Sequence, residues 1–174
     1  MRRFVPVLLA AAAVVAAVSM PTGTAQAAST DTTFDLTGGT IDISAPAGPV
    51  SLGSVAVTST TVGGSFGTVA VTDNRGDDPA AWSAQVSSTN FVSGTHFIPA
   101  ADAAYATGTL TTTGSGTFTP TDLAGLNSNP FTVAALTGGS GDNTASWNPT
   151  ITVTLPHPGA VAGTYTATIV HALA

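Results

Sequence analysis

The chain contains no cysteine, no lysine and no glutamate, and its only fixed cations are Arg2, Arg3 and Arg75. Without cysteine there is no disulfide framework, so any folded part must be held by its own core. Three cations stand against nine aspartates, a formal net charge of -6. Displacing the counterions of a nucleic acid takes several Lys or Arg side chains, so nucleic acid is excluded as a partner. Electrostatic attraction to an anionic membrane surface is excluded for the same reason. The missing glutamate rules out an H-E-x-x-H metal site, and His96, His157 and His171 do not stand at metal-ligand spacing. No cofactor-binding motif is present, and no cofactor is implied.

The one long apolar run is N-terminal. Arg2-Arg3 precedes Phe4 to Val18, and the small-residue site Ala25-Gln26-Ala27 follows after Pro21. A basic lead, an apolar stretch of this length and an A-x-A site predict a signal peptide over residues 1–27, cleaved after Ala27. The expected product is secreted, lying outside the cell or on the cell wall, and no membrane insertion is expected after cleavage. Cleavage removes both methionines and two arginines. Arg75 then remains as the one fixed cation against Asp31, Asp35, Asp42, Asp73, Asp77, Asp78, Asp102, Asp122 and Asp142.

Residues 28–33 read as a short polar lead and residues 34–174 as a single domain. Short β-branched runs alternate there with Gly, Pro, Asn and Asp, which predicts an all-β antiparallel sandwich or a barrel-like sandwich. Expected strands are Ser51–Thr58, Gly67–Asp73, Ala81–Ser88, Gly108–Thr113, Phe131–Ala135, Trp147–Leu155 and Thr164–Leu173. Pro149 cannot donate to a ladder, so the Trp147 strand is expected to start after it or to run at an edge. Thr137–Thr144 reads as a flexible loop, and Asp122–Leu126 as at most one helical turn. Around Gly38-Gly39, a two-residue hairpin would set Asp35 opposite Asp42. Like charges facing each other favour the alternative, a kink between strands that pair elsewhere.

Two segments carry candidate chemistry. Asp73, Asn74, Asp77 and Asp78 surround Arg75 and offer oxygen ligands for calcium, although the bidentate Glu and the spacing of an EF-hand loop are missing. The competing reading is a solvated turn in which Arg75 pairs with a neighbouring aspartate. Gly63-Gly64-Ser65-Phe66-Gly67 has the letters of G-x-S-x-G, but a nucleophile elbow needs a helix after the serine and a β-branched run follows. A glycine-rich turn between strands is the expected reading of it. No complete catalytic constellation can be named, so no catalytic residue is assigned; a wall hydrolase stays a remote alternative.

Several of these residues together carry a resemblance. Leu36-Thr37-Gly38-Gly39-Thr40-Ile41, Val71-Thr72-Asp73-Asn74-Arg75-Gly76 leading to Trp82, Trp147 before Ile151-Val153-Leu155, and Tyr165-Thr166-Ala167-Thr168-Ile169 are similar to the WxL domain of Gram-positive surface proteins, in its small secreted actinobacterial variant. The resemblance implies a non-catalytic module that associates non-covalently with peptidoglycan or another cell-wall polymer. It carries ligand-binding roles onto Trp82, Trp147, Tyr165, His171 and Leu173. The first Trp-any-Leu falls on Trp82-Ser83-Ala84, with Ala in place of Leu. The second falls on His171-Ala172-Leu173, with His in place of Trp. Alternation assigns Trp82, Trp147 and His171 to apolar faces, so packing is expected of them, and a buried His171 then needs a hydrogen-bond partner. The alternative function is an interaction module that binds other surface proteins by strand or edge pairing.

Overall fold

A computed structural model of the protein describes residues 26–174; the expected signal segment up to Ala25 lies outside them. The chain divides into two units, one ending at Asp35 and the other spanning Leu36–Ala174. Residues 26–35 carry no regular secondary structure and are exposed. The second unit is an all-β sandwich of thirteen strands.

The first sheet has β1 (Ile41–Ser44), β3 (Val69–Asp73), β11 (Asn143–Trp147) and β8 (Thr111–Thr113), side by side in that order. Across a bend in the chain at residues 66–68 and 148–149 it is followed by a three-stranded sheet of β2 (Thr61–Ser65), β12 (Thr150–Thr154) and β7 (Ala103–Ala106). The bend has a chemical cause. Pro149 has no N–H to give to the ladder, and Gly67 adopts a positive φ of 97°. Asn148 Oδ1 ties the corner by accepting from the Ser65 hydroxyl at 2.6 Å and from the Gly67 N–H at 3.1 Å.

The second sheet runs β13 (Ile169–Leu173), β4 (Ala80–Ser88), β10 (Phe131–Gly139) and β9 (Thr117–Pro120), all antiparallel. A small hairpin, β5 (Phe91–Ser93) with β6 (His96–Ile98), continues β4, and Val92 bridges to Thr166 ahead of β13. Period-two patterning places the core between the sheets. Val69 and Val71 face Trp82, Ala84 and Val86 of the opposite sheet, with Val133, Leu136, Ala145, Trp147, Ile151 and Val153 filling the space around them.

The strands at Gly67–Asp73, Ala81–Ser88 and Phe131–Ala135 form largely as expected, and β10 extends four residues further. A strand does start after Pro149, but Trp147 belongs to β11 before it. The Thr164 strand is reduced to Ile169–Leu173, and the Gly108 strand to Thr111–Thr113. Ser51–Thr58 is no strand: β2 and β7 already occupy both sides of β12, and the apolar residues here find no ladder. Thr137–Thr144 is not a loop throughout, because Thr137–Gly139 ends β10 and Asn143 opens β11. The only helical turn among the described residues is Ala100–Asp102, not Asp122–Leu126. At Gly38-Gly39 no hairpin forms, and only the segment after it becomes a strand, because residues 34–40 carry no regular structure. β1 pairs with β3, Asp42 sits opposite Thr72, and the Gly39 N–H donates to the Asn74 carbonyl at 2.7 Å. Gly38 lies so close to the Arg75 carbonyl that a Cβ there would collide with it.

Candidate functional site

Asp73, Arg75 and Trp82 of the residues singled out by sequence fall into one polar chain, and Trp147 and His171 into a second. In the first, Arg75 grips Asp73 from both sides, Nε donating to Oδ1 at 2.8 Å and Nη2 to Oδ2 at 2.9 Å. The Arg75 backbone N–H adds a third bond to Oδ1 at 3.1 Å. Asn143 donates from Nδ2 to Asp73 Oδ2 at 3.1 Å and accepts the Trp82 indole N–H on Oδ1 at 2.7 Å. The carboxylate only accepts and the indole only donates, so the orientation of the Asn143 amide is fixed. Asp73 is 1% exposed and Trp82 5%. The Arg75 guanidinium holds the Asp73 carboxyl at about 2, helped by the Arg75 N–H and Asn143 and opposed by burial. Arg75 is raised in turn, chiefly by its bonds to Asp73, and it also reaches the Ala81 carbonyl and Asp77.

This arrangement answers the calcium question for its central ligand. Both Asp73 oxygens are taken by Arg75 and Asn143, and Asp77 faces the same guanidinium. The solvated turn with a paired Arg75 is therefore what forms, except that its first carboxylate is buried. Among the described residues, no three of His, Cys, Asp or Glu converge as a metal ion would require.

The second chain links β11, β7 and β13. Trp147, 3% exposed, donates its indole N–H to the Tyr105 hydroxyl at 3.0 Å. The Tyr105 oxygen lies 3.0 Å from His171 Nε2. Burial pushes the Tyr105 phenol up, so it keeps its proton. His171 Nδ1 is buried with no partner. Burial also lowers His171 from 6.5 to about 4, and the Phe66 ring packs against it at 5.3 Å between centroids.

Trp82, Trp147 and His171 thus lie on inward faces, as alternation assigned them, and the hydrogen-bond partner required of His171 is Tyr105. Leu173 is half-buried against the same core. Tyr165 stands apart, half-buried, with its hydroxyl donating to the Val161 carbonyl at 3.0 Å. None of the tryptophans offers a face to a sugar. Ser65 ends β2 and is followed by β3, with no helix, and its hydroxyl is spent on Asn148 rather than on a histidine.

Two surfaces remain that the motifs did not indicate. The outer face of the bent sheet is built from small uncharged side chains in register. One row reads Asp42, Thr72, Thr144, Thr113 and the next Ser44, Ala70, Ser146, Thr111. Thr113 and Thr144 hydroxyls touch at 2.7 Å. Beyond the bend, Ser65, Thr150 and Ala106 make a further row. Asp42, at one corner, is the only charge in these rows. The alternating Thr and Ser that signalled strands in the sequence also mark this face, because inward positions took the Val, Ile and Trp.

The other surface is a cleft of about 1020 Å³ between the irregular segments 45–60 and 155–168. Val62, Phe66 and Val153 line it from one sheet, and Phe91, Ile98 and Ile169 from the other; no charged residue lines it. No family model, no curated protein and no solved structure matches the chain.

Proposed function

We propose that this protein is a secreted, non-catalytic component of the cell envelope that associates non-covalently with peptidoglycan or another cell-wall polymer. The observation that carries this reading is the outer face of the bent sheet, where rows of Thr, Ser and Ala side chains run across four strands with a single corner charge. Methyl groups beside hydroxyls suit a glycan, whose rings also alternate C–H faces with hydroxyls. A broad surface suits a polymer better than a pocket does. The WxL-like segments and the predicted export signal support the same destination. The contact surface differs from the one the resemblance implies, since the tryptophans serve the core. Ser65, the one serine with a nucleophile-like context, is committed to Asn148, which favours binding over hydrolysis.

The test is sedimentation with isolated cell walls. Wild-type protein should pellet, and Thr72→Glu with Thr144→Glu should remain in the supernatant while keeping the wild-type melting temperature. Equal pelleting of the double variant would remove the face from the proposal, and wild-type recovery wholly in the supernatant would end it.

A second reading, an interaction module that pairs with proteins through a strand edge, is favoured by the cleft. It opens beside β13, which is an edge strand of its sheet.

A further inference from the structure

The cleft is an unfilled slot between two sheets. Its walls are apolar residues of both sheets that stay half-buried, such as Val62, Phe66, Tyr165 and Ile169. One rim is the run from Tyr165 to Ile169. Thr166 exchanges backbone hydrogen bonds with Val92, and the Thr168 carbonyl accepts from Thr89, all on the β4–β5 side. Among the described residues, Tyr165 and Ala167 have no backbone hydrogen bond. Successive residues of an extended chain aim their N–H and C=O to opposite sides, so these two present an open edge. An apolar slot beside an open edge is the geometry that accepts an added strand.

The same chain carries a segment of the complementary kind. Phe34 is 84% and Leu36 90% exposed, the two most exposed large apolar side chains among the described residues. They lie in Asp31-Thr32-Thr33-Phe34-Asp35-Leu36-Thr37, a β-forming sequence with no strand partner. In an extended conformation Phe34 and Leu36 share one side, while Asp31 and Asp35 share the other. A strand laid in the slot would therefore bury both apolar side chains in the uncharged cleft and leave both carboxylates in water.

We infer that residues 31–37 of one copy insert as a strand into the cleft of a second copy, along Tyr165–Ile169, and link copies head to tail. Reach decides against insertion into the same copy. Gly38 is fixed against the Arg75 carbonyl, so Leu36 extends at most about 7 Å from it. The cleft wall at Phe66 lies beyond β3 and the Gly67 bend from there, and Asn74 to Val69 along β3 alone spans about 17 Å. Leu36 and the cleft thus lie toward opposite ends of the second unit. Such a contact is heterologous, so it links copies into a series, a ring where the rotation closes and an open chain where it does not. A seven-residue strand is about 23 Å long and sunk in a cleft covers on the order of 600 Å² per partner, at the low end of specific interfaces. Association is accordingly concentration-dependent. It is independent of wall binding, which uses the outer face of the bent sheet.

The experiment is sedimentation velocity on the secreted protein over a concentration series into the millimolar range. Wild type should form a ladder of oligomers. Phe34→Asp with Leu36→Asp removes the donor at exposed positions and should weaken association by roughly a hundredfold or more. Val55→Asp with Val57→Asp, also at exposed positions, charges the acceptor and should do the same. Each double variant alone should stay monomeric, and their mixture should give a dimer that grows no further, since one intact donor and one intact acceptor remain. A wild type that is monomeric throughout overturns the inference. So does a donor variant that associates like wild type, or a monomer whose cleft takes up a small apolar dye that the 31–37 peptide fails to displace. Wall pelleting of the monomeric variants separates the outcomes: retained pelleting leaves the proposed function standing whichever way association falls.

Discussion

Acidification should destabilise this protein in a defined window, and His171 sets its upper part. In the folded state its imidazole titrates at about 4, against 6.5 in a solvated chain, because burial disfavours the charged form. Above 6.5 both states hold His171 neutral, and stability is independent of it. Between 6.5 and about 4 the unfolded chain takes up a proton that the folded one refuses, so stability falls with pH. Below about 4 both are protonated and the loss is complete. At ~1.36 kcal/mol per pH step, the full gap has a ceiling of about 3 kcal/mol. The ring is only partly buried, so solvent screening reduces the expected loss to about 2 kcal/mol. Urea unfolding followed by the fluorescence of the buried Trp82 and Trp147 at a series of pH values measures it. His171→Gln supplies the control, since its side-chain carbonyl accepts from Tyr105 without titrating. The variant should lose the slope between 6.5 and about 4 while remaining folded. An unchanged slope in the variant, or a wild type that gains stability on acidification, would refute the assignment.

Three further outcomes follow from the same contacts. A second loss should appear between 3.8 and about 2, where Asp73 is protonated in the unfolded chain but still ionised in the fold; Asp73→Asn should abolish it in the same urea series. Asn143→Ala strands the Trp82 N–H in the core and should cost about 2–3 kcal/mol, read as a lower urea midpoint with unchanged slope. A chelator should leave the melting temperature where it was, because Arg75 and Asn143 already occupy the Asp73 oxygens; a fall on chelation would show ligand linkage and revive a calcium site.

How much of this was legible in the sequence varied with the element. Alternation of β-branched and small polar residues located β3, β4 and β12, and it placed Trp82, Trp147 and His171 inward. It missed β7, whose Ala-Ala-Tyr-Ala has a single large side chain and no β-branched one. It misread Ser51–Thr58, which has strand composition but no free neighbour to pair with; a strand exists through its partner, and pairing is not written in local sequence. Asn143 looked like part of a polar loop because it follows Gly-Ser-Gly-Asp, yet it is buried to serve Trp82, sixty-one residues away. Tyr105 drew no notice, although it is the hub that satisfies both Trp147 and His171. The cleft was equally invisible, since two irregular segments form it.

The pairing of β13 with β4 sets a condition on when folding can finish. Ile169–Leu173 completes the sheet edge begun at Ala80–Ser88, and His171 brings the Nε2 that pairs with the Tyr105 hydroxyl. A polypeptide emerging N-terminus first from a ribosome holds an incomplete sandwich until residues 169–173 are free. Until then the free edge of β4 and the Tyr105 hydroxyl have only water as a partner, so closing this sheet edge waits on a contact across some eighty residues of chain.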